Sequence, residues 1–135
     1  MVNNSKISCI GISGGGLTAL YASVIDEAFK KTVISCYINT FKDSILSLWH
    51  CPDNYIPDII RTGEIYDFAC TLAPRKLLIE SGTKDKLFPI AASKKAHEHI
   101  KRIYTLIGAE DNIIIDVFDG KHSVSGKKSF DFLSE

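Results

Sequence analysis

The sequence predicts an α/β protein, a three-layer αβα sandwich built on a parallel sheet of about four strands. Three observations carry this. Short apolar runs alternate with stretches of helical periodicity. The second apolar run, Thr32–Tyr37, is nearly continuous, as expected of a strand covered on both faces. A glycine-rich turn, Gly11–Gly16, joins the first strand directly to a helix. At 135 residues the chain is long enough for one core, and a single domain over 1–135 is expected.

In chain order, Lys6–Ile10 is the first strand and Gly14–Phe29 the helix behind the turn, with Leu17, Leu20, Tyr21, Val24 and Ile25 on one face. Thr32–Tyr37 is the second strand. Asn39–His50 reads as a helix, because Phe41, Ile45, Leu48 and Trp49 recur at three- and four-residue spacing. Pro57 and Gly63 punctuate the next stretch, leaving short helices near 58–61 and 64–71. Lys76–Glu80 is the third strand. Pro89 opens a helix that runs to about Ile107, with Gly108 as its cap. Asn112–Phe118 is the fourth strand and Gly126–Leu133 the last helix.

Composition excludes some functions. Sixteen basic residues balance sixteen acidic ones, so no net field favours nucleic acid or an anionic membrane. No run approaches the ~18 apolar residues of a membrane span. Met1–Lys6 begins no signal-peptide core, and a cytoplasmic location is expected. Cys9, Cys36, Cys51 and Cys70 form no Cys-x-x-Cys pair, so they read as reduced structural thiols and no metal site is expected.

Gly11-Ile12-Ser13-Gly14-Gly15 has the Gly-x-Ser-x-Gly pattern of a nucleophile elbow, in which a sharp strand-to-helix turn lifts a serine above the sheet edge. Gly11 and Gly15 are expected to be small because strand and helix cross there. Gly14 offers its N–H at a helix start, where a developing oxyanion is stabilised. A dinucleotide-binding turn is the nearest rival, but Ser13 stands where its middle glycine would be. A phosphate loop would need Gly-Lys-Ser/Thr after the turn, which is absent. A flavodoxin-like nucleotide-binding domain is a weaker third reading.

Active sites of open parallel sheets gather at the strands' C-terminal ends. Three loops there carry reactive groups, in the order Ser13, Asp85, His122, which is the order of an α/β-hydrolase triad. His122 would be the general base and Asp85 the partner of its other ring nitrogen. His97 and His99 lie within a helix and His50 ends one, so none of the three falls at a strand end. Taken alone, Asp85 also reads as a turn residue.

Three segments, Cys9–Gly16, Leu77–Pro89 and Asp116–His122, together resemble the C-terminal half of an α/β-hydrolase of the dienelactone hydrolase and acetyl xylan esterase-like branch. The middle segment resembles that branch's Gly-x-x-Asp-x-x-x-Pro acid loop, the last its Phe-x-Gly-x-His loop. The resemblance implies a serine esterase acting on a small-molecule ester of a short acyl group, with no cofactor. Dienelactone hydrolases use cysteine as nucleophile, and Ser13 argues for the esterase side. The family's elbow follows its fifth strand, so the resemblance further implies that earlier strands and a second oxyanion donor are missing from this chain. Its first strand would then present a bare edge, for which a homo-oligomer or a complementing N-terminal half is the expected partner. The alternative expectation is a truncated, non-catalytic remnant serving as an assembly module.

Overall fold

Four parallel strands lie across the sheet in the order in which the chain makes them: β1 (Ser8–Ile12), β2 (Lys31–Ser35), β3 (Lys76–Gly82) and β4 (Ile113–Phe118). The computed structural model describes residues 7–134. Met1–Lys6 and Glu135 lie outside the described residues, and with them the expected start of the first strand at Lys6.

Strand order that advances in one direction, with right-handed crossovers, puts every connecting helix on the same face. Helices α1 (Gly14–Ile25), α2 (Ile65–Cys70) and α3 (Ile90–Leu106) accordingly share one core, with Leu20, Ile34, Ile65, Leu77, Ile79, Ile100 and Tyr104 buried in it. The opposite face receives α4 (Ser129–Ser134), whose Phe132 packs on Val33 and Leu78. The α/β sandwich is therefore as predicted, with one thick helical layer and one thin one.

Register links Ile10 to Val33, Val33 to Leu78 and Leu78 to Ile114, so the four share the α4 face. Val33 and Leu78 are fully buried, whereas Ile10 on the edge strand β1 is 44% exposed. Among the described residues no helix is long and apolar enough to cross a membrane.

Two expectations need correction. Residues 39–50 form turns rather than a helix. Phe41 and Ile45 are buried as their spacing suggests, but polar side chains take over the backbone partners there. Thr40 Oγ1 accepts from Asp43 N (3.0 Å), and Leu46 N reaches back five residues to Phe41 O (2.8 Å). The helix after the glycine turn stops at Ile25 rather than Phe29, because Asp26 leaves helical geometry and its carboxylate accepts from Ala28 N. On α3 the inward residues include Ala92, Ala96, His97, Ile100 and Tyr104, while Ile107, at the C-cap, is 52% exposed. Gly108 follows at φ +69°, a conformation that glycine adopts without steric cost.

Candidate active site

Ser13 stands between β1 and α1 with φ 56° and ψ −123°. A non-glycine residue held there costs on the order of 1–3 kcal/mol and persists only where its surroundings over-determine it. Two bonds fix it: Ser13 N donates to Ser35 O on the neighbouring strand (3.1 Å), and Leu17 N donates back to Ser13 O (2.9 Å). Ser13 thus occupies a strained turn held between strand and helix.

Crowding at this turn falls on Gly11 and Gly16. A Cβ on Gly11 would lie 1.9 Å from Gly15 O, and one on Gly16 would lie 2.8 Å from Tyr37 Cβ. A Cβ on Gly15 meets nothing within 4 Å. This corrects the expectation for Gly15, whose backbone crowds Gly11 but whose own outer side is open. Gly14, the first residue of α1, points its amide out of the helix start, with the Asp53 carboxylate alongside: Asp53 Oδ2 lies 2.9 Å from where a Gly14 Cβ would be.

The acid loop after β3 and the loop after β4 are pinned to each other. Thr83 N donates to Phe118 O (2.9 Å), Lys84 N donates to Gly120 O (2.8 Å), and Lys84 Nζ pairs with Asp119 (2.7 Å). Gly82 permits this approach, since a Cβ there would lie 2.4 Å from Lys121 O. Across the contact, His122 Nδ1 lies 2.8 Å from Asp85 Oδ2. The other oxygen, Asp85 Oδ1, accepts from Leu87 N (2.8 Å) and Phe88 N (3.2 Å). Asp85 therefore caps its own turn and holds the imidazole at once.

Among the described residues Ser13 Oγ makes no hydrogen bond, and none joins it to His122. Ser13 opens on a cavity of about 300 Å³ whose walls include Gly14, Trp49, His50, Asp53 and Leu87. His122 opens on a neighbouring one, of similar size, lined by Lys84, Lys86, Leu87 and Lys121. Leu87 is the wall they share.

The fold brings in five groups that sequence patterns did not select. His50 enters the Ser13 cavity, accepting from or donating to Ser44 Oγ at 3.3 Å. Burial pushes it below the ordinary histidine range, and the neighbouring His122 pushes the same way. Phe88 lies between the two histidines, nearly parallel to the His122 ring at 5.7 Å and tilted against His50 at 5.1 Å. Asp53 arrives beside Gly14 from the turn Pro52–Asn54. Glu80, fully buried on β3, accepts from Ser35 Oγ and from the backbone N–H groups of Ser125 (3.1 Å) and Gly126 (3.2 Å), so it anchors the loop that follows His122. Cys36 follows β2 at φ 47°, its Sγ donating to Ser123 O at 3.4 Å. Burial pushes its thiol up to about 11, and the Asp85 carboxylate adds to the rise, so it is not poised as a thiolate nucleophile.

The parallel sheet, the strained serine at a strand-to-helix turn and the thick helical face are those of an α/β-hydrolase fold. Among solved structures, a carbohydrate esterase family 15 glucuronoyl esterase from Caldicellulosiruptor kristjansonii superposes with a TM-score of 0.71 at 18% identity, over 92% of this chain and 40% of its own. Methylesterase BT1017 superposes at 0.76 and 23% identity, over 98% of this chain and 30% of its own. An acylaminoacyl peptidase from Pyrococcus horikoshii does so at 0.66 and 19%, over 98% and 22%. The chain spans less than half the length of these structures, and at such identities the likeness is one of fold. No family model matches the chain, and no curated protein matches it in sequence.

Proposed function

We propose that this chain is the catalytic half of a serine carboxylic-ester hydrolase that works through an acyl-enzyme on Ser13. His122 Nε2 takes the Ser13 proton as Oγ attacks the ester carbonyl, and then gives it to the departing alkoxide. Asp85 keeps the imidazole's other nitrogen protonated and offsets the imidazolium charge. Gly14 N–H donates to the developing oxyanion. Water, activated by the same imidazole, releases the acid. No cofactor enters these steps. A cytoplasmic setting, where an exposed thiol such as Cys51 stays reduced, belongs to the same proposal.

The observation that carries this reading is the strained Ser13 backbone at the same sheet end as the 2.8 Å His122–Asp85 pair. The neighbours' names, esterases and a peptidase, fit acyl transfer. Fluorophosphonate labelling with the adduct located by mass spectrometry tests it. The expected result is a stoichiometric adduct on Ser13 that His122→Ala abolishes. A folded chain with Ser13 unlabelled would overturn it.

A second reading, a non-catalytic assembly module, is favoured by two observations: no hydrogen bond joins Ser13 to His122, and a carboxylate stands beside Gly14. Under either reading we propose that the β1 edge, where Ile10 is 44% exposed, pairs with a second copy or a complementing segment. Light scattering of a stable monomer would count against that pairing.

A further inference from the structure

Cys36 Sγ, one carboxylate oxygen of Asp85 and one ring nitrogen of His122 lie within 4.8 Å of one another. No spacing rule selects this set, because its members come from the ends of three different strands. We propose that the three side chains form an inhibitory site for a thiophilic divalent cation such as zinc or cadmium. The inference rests on the proposed role of His122 for its inhibitory consequence, but not for binding.

The donor set suits such an ion. Thiolate, imidazole and carboxylate are the ordinary ligands of zinc, and three protein ligands with a water in the fourth position make a complete tetrahedron. Asp85 is pre-oriented for it. Oδ1 is held by Leu87 N and Phe88 N, so Oδ2 is the oxygen turned toward His122 Nδ1. Tetrahedral bonds of about 2.0 Å need neighbouring O and N ligands about 3.3 Å apart. The 2.8 Å pair has only to open by about half an ångström. Cys36 Sγ would leave Ser123 O for the metal. A route from solvent exists at His122, whose side chain is 26% exposed on the lysine-lined cavity.

Protons balance simply. The Cys36 thiol gives its proton to solvent as the sulfur binds. The imidazole proton moves from Nδ1 to Nε2, leaving the ring neutral and bound through Nδ1. An imidazole with its proton on Nε2 has no lone pair there to accept the Ser13 proton. The consequence is loss of base function without any blockage of the Ser13 cavity.

Cadmium titration followed by the thiolate-to-metal absorbance band tests binding directly, with the metal alone as probe. Expected are a one-to-one band in the wild-type chain and its loss in both Cys36→Ala and His122→Ala, with Cys51→Ala retaining it. A band that persists in Cys36→Ala, or survives in His122→Ala, would assign the metal to other thiols and overturn the proposal, as would no band in the wild type. In parallel, zinc should stop fluorophosphonate labelling of Ser13, chelator should restore it, and Cys36→Ala should label whether or not zinc is present. If Ser13 never labels, the hydrolase reading fails while the absorbance result still decides the cation site.

Discussion

Asp85 divides its carboxylate between two tasks: Oδ1 accepts from Leu87 N and Phe88 N, and Oδ2 meets His122 Nδ1 at 2.8 Å. A single oxygen on each side makes the two tasks separable by mutation. Asp85→Asn keeps an acceptor for the turn but presents the ring with an amide, which favours the wrong tautomer. In a Ser-His-Asp site that change drops turnover about 10⁴-fold. The expected outcome here is a loss of Ser13 labelling rate of roughly 10³–10⁴ with the urea midpoint little changed. Equal labelling by wild type and Asp85→Asn would remove Asp85 from the mechanism.

Gly11, Gly15 and Gly16 make a graded test of crowding at the strand-to-helix turn. Gly11→Ala drives a methyl to 1.9 Å from Gly15 O, and neither backbone can yield, so a cost of about 3 kcal/mol or more is expected. Gly16→Ala meets Tyr37 Cβ at 2.8 Å and Ser35 O at 3.2 Å, and should also destabilise. Gly15→Ala places its methyl in open space within α1 and should gain about 0.5–1 kcal/mol from helix propensity. Urea unfolding of the three variants checks the order. If Gly15→Ala proves the most damaging, the crowding argument is wrong.

What was legible in the sequence was whatever is written locally. Ser13, Asp85 and the glycines of their turns sit in short local motifs, and the fold places both residues in loops at strand ends. His122 lies in the loop that follows β4, four residues past its last residue, Phe118. Residues 39–50 take turns although Phe41, Ile45 and Leu48 keep helical spacing and Phe41 and Ile45 are buried. The backbone took another course once Thr40 and Asp43 bonded each other locally. That same irregular stretch carries His50 and Asp53 to the Ser13 cavity, which is why neither could be placed beforehand. Cys36 fitted a strand pattern, yet the strand ends one residue earlier and a left-handed φ swings the residue toward the Asp85–His122 pair.

Asp53 offers a prediction of opposite sign to most active-site substitutions. Its carboxylate lies beside Gly14, at the helix start that would receive the oxyanion. A negative charge there opposes the charge that develops on the substrate oxygen. Because Asp53 is exposed, the interaction is screened and is worth about 1 kcal/mol at most, roughly fivefold in rate. Asp53→Asn should therefore label faster than wild type, by up to about fivefold, and the gain should shrink in high salt. A slower Asp53→Asn would mean that the carboxylate supports the site instead of opposing it.

His97 sets part of the acid response of the fold. It is buried on α3, with Nε2 3.1 Å from Ser81 Oγ, and burial pushes it from 6.5 down to about 4, Lys94 adding to the fall. In the unfolded chain the ring protonates near its ordinary value, while in the folded chain it stays neutral. Between about pH 6.5 and pH 4 the unfolded state thus binds the extra proton, and stability falls as pH falls through that window. Each unit is worth about 1.4 kcal/mol, so this one group removes on the order of 3 kcal/mol across it. His97→Gln keeps a hydrogen-bonding partner for Ser81 but does not titrate. Urea unfolding at pH 7 and pH 4.5 should show a clearly smaller loss of stability in His97→Gln than in wild type. Identical losses in the two proteins would mean that the imidazole gains a proton without leaving the core.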